Sequence, residues 1–282
     1  MTATELDPRV LSMSIEIDGV IRTYENLSIS VKMEKWITTA PLVAYIEITN
    51  LKNEVASAII TEGTPFNQNR TPKTITIKAG RLKGGSSDIF IGNIFRASSS
   101  QPPDRVLTIE SRAYFFEGAK AATEMTPGMN KLSAICQHAA DDLGLDLNFS
   151  ATDKNIRSYT FSGGAQQQLK YVASLADIDV FSDLDTLIVT DKGKGTGAVT
   201  RTLTSSDFVG MPLVSERGAV VKYLFDSKTN IGDLFEIDTN SPYSISANGT
   251  YRAFRIEYDL TTRANQFYIT VHGSRALQGG TL

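Results

Sequence analysis

Residues 88–116 read DIFIGNIFRASSSQPPDRVLTIESRAYFF, and this stretch decides the fold. Two strand-like runs, residues 89–97 and 106–115, flank a polar connection, SSSQPPD. In the second run Leu107 and Ile109 alternate with Thr108 and Glu110, the period of a half-buried strand. Pro102 and Pro103 cannot donate ladder hydrogen bonds and so suit a turn. The stretch predicts a β-hairpin.

Residues 251–276, YRAFRIEYDLTTRANQFYITVHGSRA, echo it. Phe95-Arg96-Ala97 is matched by Tyr251-Arg252-Ala253, and Ser111-Arg112-Ala113 by Ser274-Arg275-Ala276. Upstream, Ile91-Gly92-Asn93-Ile94-Phe95 has a counterpart in Ile231-Gly232-Asp233-Leu234-Phe235. This internal similarity predicts two similar β-domains in one chain.

N-terminal to the hairpin the grammar is also β. Residues 11–17 alternate and end at Asp18-Gly19, a hairpin signal. Residues 26–31, 43–49 and 74–79 are further strands, with a short helix over 51–61 and a glycine-containing loop over 80–88. Five or six strands in about a hundred residues suit a small barrel or sandwich.

C-terminal to the hairpin the pattern changes. Thr126-Pro127 suits a helix start. Leu132, Ile135, Cys136, Ala139 and Leu143 then share one helical face, and Gly144 suits its C-terminal stop. Short strands follow at 145–149 and 158–161. After Gly163-Gly164 a second helix carries Leu169, Val172, Ala173 and Ala176 on one face, and a hairpin spans 178–190. KGKGTG, residues 192–197, reads as an exposed link. Strands return at 220–224, 234–237, 251–258 and 266–272. Asn248-Gly249 is a tight-turn signal, and Gly279-Gly280 marks a C-terminal tail. The expected architecture is mainly β: two similar small β-barrel domains, residues 1–116 and 196–282, separated by an α+β module, residues 117–195.

Composition bounds the function. The 282 residues are 41% hydrophobic and 21% charged, as in a globular chain, and can hold two or three small domains or one large one. A net charge of −3 leaves no basic footprint for nucleic acid. Cys136 is the only cysteine, so no intramolecular disulfide forms. No run approaches the roughly 18 apolar residues of a membrane span. No basic, then apolar, N-terminal segment marks a secretory signal.

Catalytic patterns are weak. His138 follows Cys136 by two residues, a spacing that does not face on a helix, and Cys136 fits the apolar stripe. His272 alternates with Phe267, Ile269 and Val271 and reads as a solvent-side or interface residue. The glycine runs lack the order of a phosphate loop. Asp141-Asp142 ends a helix and reads as a solvated patch, with nothing to set two carboxyls across a cleft. Trp36, the only tryptophan, suits a sugar platform, a core anchor or an interface. No catalytic residue, metal ligand or cofactor site is expected.

The order of segments resembles one family. EITNLKNEVASAIITEGTPF, TITIKAG and IFIGNIFRASSSQPPDRVLTIESRA are similar to the first β-domain of the baseplate hub proteins of contractile-tailed bacteriophages. YTFSGGAQQQLKYVASLADIDVF resembles their middle domain, and SDFVGMPLVSERGAVVKYLFDSKTNIGDLFEI with NGTYRAFRIEYDLTTR their second β-domain. The resemblance covers about residues 10–276. It implies a non-enzymatic homotrimer whose six barrels join the sixfold tail tube to the threefold central spike. It implies the spike, tube or tube-initiator proteins and other baseplate proteins as partners, no membrane anchor, and a place in the virion after assembly in the host cytoplasm. The loops expected to touch partners carry Ser98, Gln101, Pro102, Pro103 and Asp104, then Gly84 and Gly85, then Trp36, then Asn248 and Gly249. Alternatives are the hub of a phage-derived contractile injection particle, a cell-wall-degrading tail enzyme, for which no catalytic pair is visible, and a carbohydrate-binding adhesin using Trp36 and exposed tyrosines.

Overall fold

The computed structural model describes residues 7–276 apart from 18, 65, 68–72, 102 and 198. Asp18, Pro102 and the Gly279-Gly280 tail therefore lie outside the described residues. The N-terminal region contains β1 (Arg9–Ile17), β2 (Val20–Tyr24), β3 (Ile29–Trp36), β4 (Val43–Thr49), α1 (Asn53–Glu62), β5 (Thr74–Arg81), β6 (Gly85–Ser99) and β7 (Val106–Arg112). Alternation makes these strands. Ile29, Val31 and Met33 of β3 are buried, while Lys32, Glu34 and Trp36 point out.

The deciding hairpin forms. Asn93 lies opposite Arg112 and Ser99 opposite Leu107, with one extra residue at Phe95. Ser100 closes the connection: its hydroxyl accepts from the Val106 N–H at 2.9 Å and donates to the Asp104 carbonyl at 2.8 Å. β7 stops at Arg112, earlier than expected, because Tyr114 takes a left-handed φ of 36° and leads into the short α2 (Phe115–Gly118). The β1–β2 connection has the expected length, with Ile17 opposite Val20 and Gly19 at φ 76°. The expected loop over 80–88 is instead mostly ladder. Arg81 pairs with Gly85 and Lys78 with Asp88, leaving a three-residue tip. A side chain at Gly80 would meet the backbone of Gly85 and Ser86, so the close strand approach requires glycine there.

The middle region contains β8 (Ala121–Lys131), α3 (Leu132–Leu143), β9 (Asp146–Phe149), β10 (Asn155–Gly164), α4 (Ala165–Ala176), β11 (Ile178–Asp183) and β12 (Thr186–Asp191). Thr126-Pro127 does not start a helix; it lies within β8. The β8–β10 ladder skips there, between Thr126 opposite Tyr159 and Met129 opposite Arg157. Gly128 and Ser158 both take positive φ at this bulge, so the proline costs no ladder bond. α3 starts at Leu132, and its expected face (Leu132, Ile135, Cys136, Ala139, Leu143) is buried. Gly144 stops it at φ 66°. The link over 192–197 is tied down rather than free. The Gly193 N–H donates to Asp179, and the Thr196 hydroxyl donates to Asp233.

The last region contains β13 (Val199–Leu203), β14 (Leu213–Ser215), β15 (Gly218–Leu224), β16 (Leu234–Ile237), β17 (Gly249–Thr261) and β18 (Phe267–Arg275). Asn248-Gly249 is not a two-residue hairpin turn. Ile237 already pairs with Gly249, and the side chain of Asn248 clamps the long connection between them. It accepts from the Thr239 N–H and donates to the Thr239 carbonyl, both at 3.0 Å.

Strands of the first and last regions join in one 13-stranded sheet ordered β14-β15-β18-β17-β3-β4-β7-β6-β5-β1-β2, with β16 and β13 branching from β17. The join is the antiparallel β3–β17 ladder, from Trp36 opposite Arg255 to Ser30 opposite Thr261. The middle region holds its own two- and three-stranded sheets. Both echoed stretches are hairpins with an extra residue in the first strand, at Phe95 and Phe254. The echo does not preserve register: Ser111 faces Ile94, one before Phe95, whereas Ser274 faces Arg252, one after Tyr251.

Candidate interaction face at the junction of the two halves

Where β3 meets β17, the outward side chains of five strands line a groove of about 660 Å³. Strand pairing sets them in rows. Trp36, Arg255 and His272 stand side by side, as do Glu34, Glu257 and Thr270, and then Lys32, Asp259 and Tyr268. β4 adds Tyr45 opposite Lys32, and β15 adds Lys222 opposite Thr270.

The charges interlock. The Trp36 Nε1–H donates to Glu34 at 2.9 Å, and the Arg255 guanidinium lies 4.3 Å from the Trp36 ring centroid. Arg255 also reaches Glu34 at 3.1 Å and Glu257 at 2.8 Å, and Glu257 meets His272 Nε2 at 2.9 Å. Burial pushes the Glu34 carboxyl up, but the hydrogen bonds from Trp36 and Arg255 outweigh it and hold the group below its ordinary value. Trp36 remains 39% exposed and Tyr45 54% exposed. Across the groove, the Lys222 ammonium sits 4.8 Å from the Tyr268 ring centroid. The result is an aromatic, charge-patterned surface with both signs present, suited to a protein partner.

On the opposite face of the same strands, two buried cations reach the middle region. Lys35 is buried and ion-paired with Asp183. Arg252, also buried, donates to Asp179 at 2.5 Å and to the Thr190 hydroxyl at 3.2 Å. Buried charges of this kind are tolerated when paired. Asp233 accepts from Thr196 at 2.8 Å and from the Asn230 N–H at 3.0 Å. Burial outweighs these bonds and raises its carboxyl above the ordinary value.

The other expected contact residues do not gather here. Gly84 and Gly85 sit at the β5–β6 tip, where Asp7 accepts from the Lys83 and Gly84 N–H groups at 2.9 Å. Ser98, Gln101, Pro103 and Asp104 are exposed at the far end of β6. Strand rise separates the two ends by about 45 Å, so these loops cannot form one site. Asn248 is occupied internally. Only Trp36 belongs to the face. Of the side chains around it, Arg255 and Glu257 were missed because they lie on β17, more than two hundred residues away in sequence, whereas Glu34 is only two residues away on β3 and carried no signal of its own. His272, read as solvent-side or interfacial, is part of it.

The catalytic alternatives have little geometry behind them. The Cys136 thiol is buried and pushed up to about 12. His138 is exposed and bonded through Nδ1 to Glu124 at 2.8 Å. Asp141 and Asp142 are exposed, and Asp141 accepts from Gln137. Among the described residues no three His, Cys, Asp or Glu side chains converge as metal ligands would, and no helix is long and apolar enough to cross a membrane.

A family model described as baseplate hub gp41 matches residues 10–273. By sequence, no curated protein matches the chain. Among solved structures, the 43 kDa tail protein of prophage MuSo2 from Shewanella oneidensis is similar at TM-score 0.66 and 10% identity, over 94% of this chain and 98% of that one. The tail protein from Neisseria meningitidis MC58 matches at TM-score 0.66 and 9% identity, covering 94% and 96%. The E. coli c3393 protein, a component of the type VI secretion system with structural similarity to T4 bacteriophage tail proteins gp27 and gp5, matches at TM-score 0.57 and 8% identity, covering 94% and 77%.

Proposed function

The chain belongs to the baseplate hub gp41 family, and from that premise we propose that three copies close a ring joining the sixfold tube of a contractile phage tail to its threefold central spike. Its role is structural, in the tail baseplate. In this reading residues 1–116 and 196–282 are two barrel-like hub domains and residues 117–195 brace them from one side. The observation that supports it best is the β3–β17 ladder. It welds the first and last regions into one sheet, so each subunit offers a rigid pair of β-rich halves and three subunits offer six. The partners are a second and third copy of the chain, the spike, tube or tube-initiator proteins and other baseplate proteins. The Trp36 face is the meeting surface for the spike, tube or other baseplate proteins.

Mass in solution tests this, measured on the purified chain alone and mixed with its spike protein. A trimer, or a three-to-three complex with the spike, is the expected result. A monomer that ignores spike and tube proteins overturns the reading, and binding of Trp36 to glycans in that case favours an adhesin.

A further inference from the structure

Arg9 of β1 and Arg81 of β5 face each other directly across their ladder. Both lie against the ring of Phe267 in β18, with guanidinium carbons 5.8 and 4.9 Å from its centroid. With Leu224, Asn265 and Tyr268 they line an open cleft of about 460 Å³ between the first and last regions. Like charges set opposite in a ladder destabilise it. Both are also half-buried. Burial, with Arg9 alongside, pulls the Arg81 guanidinium below its ordinary value, against a weaker upward pull from Asp7.

Holding the fold together uses only part of each side chain. Arg9 donates through Nη1 to the carbonyls of Thr261, at 3.2 Å, and Ala264, which pins the β17–β18 turn to β1. Arg81 donates through Nη1 to the Asp7 carbonyl at 3.0 Å. The Asp7 carboxylate is spent on the N–H groups of Lys83 and Gly84. Among the described residues no carboxylate pairs with either guanidinium, and their Nε and Nη2 groups have no protein acceptor. Two cations without a counter-charge, each with N–H groups left over, match the fork of a carboxylate.

We propose that the cleft between Arg9 and Arg81 is the docking point for a single acidic side chain, Asp or Glu, of a partner protein. Its carboxylate takes the free guanidinium N–H groups, and its methylenes lie against Leu224 and Phe267. Filling the cleft relieves the repulsion that the β1–β5 ladder otherwise bears. The cleft suits one carboxylate rather than a nucleic-acid backbone, since no other cation lines it among the described residues and the chain carries a net charge of −3. The proposal needs a partner and so rests on the hub reading, but it does not depend on three copies or on a ring.

The experiment follows the arginine Nε–H signals of the full chain by nuclear magnetic resonance. A blocked tripeptide, acetyl-Ala-Glu-Ala-amide, is added at constant ionic strength, and Arg9→Lys and Arg81→Lys assign the two signals. Saturating shifts of both with the Glu peptide, and none with its Gln counterpart, are expected. No saturating shift overturns the site. The same shifts at lower concentrations of inorganic phosphate overturn the choice of a carboxylate. Binding that emerges only after Glu5→Gln assigns the cleft to the chain's own N-terminal segment and overturns the partner. Affinities for the spike protein and for the tube protein are then compared between the parent and Arg81→Met, which keeps an aliphatic stem over Phe267. At least one complex should weaken about tenfold with Arg81→Met. Equal affinities in both overturn a partner carboxylate. A parent that binds neither protein overturns the hub reading and the partner with it, while the tripeptide titration still decides the cleft.

Discussion

Lys35 and Trp36 are neighbours in β3, yet they answer to different physics. Lys35 points to the closed side, is 2% exposed, is ion-paired with Asp183, and lies 5.8 Å from the Tyr258 ring centroid. Trp36 points to the open side and shares a screened, partly solvated network with Glu34 and Arg255. The same contrast recurs in β17. The Arg252 side chain is 4% exposed against Asp179, whereas that of Arg255 is 26% exposed. On the closed side a lost partner leaves a charge in low dielectric. On the open side water replaces it. The closed side therefore holds the middle region to the sheet, and the open side is free to serve a partner.

The largest test of this contrast is Asp183→Ala, which orphans the buried Lys35 ammonium. It should destabilise the chain by about 3–5 kcal/mol, read from denaturant unfolding. The double change Lys35→Met with Asp183→Leu should recover most of that loss, because the cost is the unpaired charge rather than the pair itself. A single-variant loss below about 1 kcal/mol would mean that water reaches Lys35 and that the closed side is not closed.

Glycines extend the comparison to packing. A Cβ on Gly273 would lie 2.6 Å from the Phe235 ring and 2.7 Å from Tyr251 Cβ, inside the core of the second half. Gly273→Ala should cost about 1–3 kcal/mol. At the β5–β6 tip, a Cβ on Gly84 meets nothing nearer than 3.3 Å, so Gly84→Ala should stay within about 0.5 kcal/mol. Equal thermal shifts for the two would break the distinction between interior and tip.

What was legible beforehand follows the range of the interaction. The β6–β7 hairpin and the buried stripes of α3 and α4 were readable because alternation, helical spacing and stop signals act within a dozen residues. β8 was misread because Thr126-Pro127 looks locally like a helix start. Only the bulged pairing with Arg157 and Tyr159 shows why proline fits a strand there. β13 and β14 are short, and β14 is wholly exposed, so neither carries an alternating signal. The join of β3 to β17 has no local signature. For the same reason Trp36 could be picked by residue type while Arg255, its neighbour across the ladder, could not. Asn248, picked as a surface turn, spends its side chain on Thr239.

Titration separates the two sides by sign. Asp233, raised by burial, binds its proton more readily folded than unfolded. It therefore penalises the fold at neutral pH, and that penalty lifts as pH falls through its raised value. Glu34, held below 4.5, does the reverse. Its contribution is present above the unfolded value and disappears as pH falls through the lowered one. Unfolding free energies of Asp233→Asn and Glu34→Gln, each compared with the parent from pH 7 to pH 3, should differ from it with opposite slopes. Slopes of the same sign would show that one of the two carboxyls sits in the wrong environment.

The smallest expected effect is that of Arg255→Ala. Arg255 touches Trp36, Glu34 and Glu257, and by number of partners it rivals Arg252. Number of partners is not the deciding quantity. Glu34 is 49% exposed and Glu257 37% exposed, so both are rehydrated when the guanidinium leaves, and His272 remains beside Glu257. Exposed pairs of this kind contribute about 0–1 kcal/mol. Arg255→Ala should therefore shift the unfolding free energy by less than about 1 kcal/mol. Arg252→Ala in the same strand should cost about 3–5 kcal/mol, because it leaves Asp179 without its buried guanidinium partner. The pair of measurements places the boundary between scaffold and contact surface within three residues of β17. A loss of several kcal/mol at Arg255 would move that boundary outward and make the Trp36 face part of what holds the two halves together.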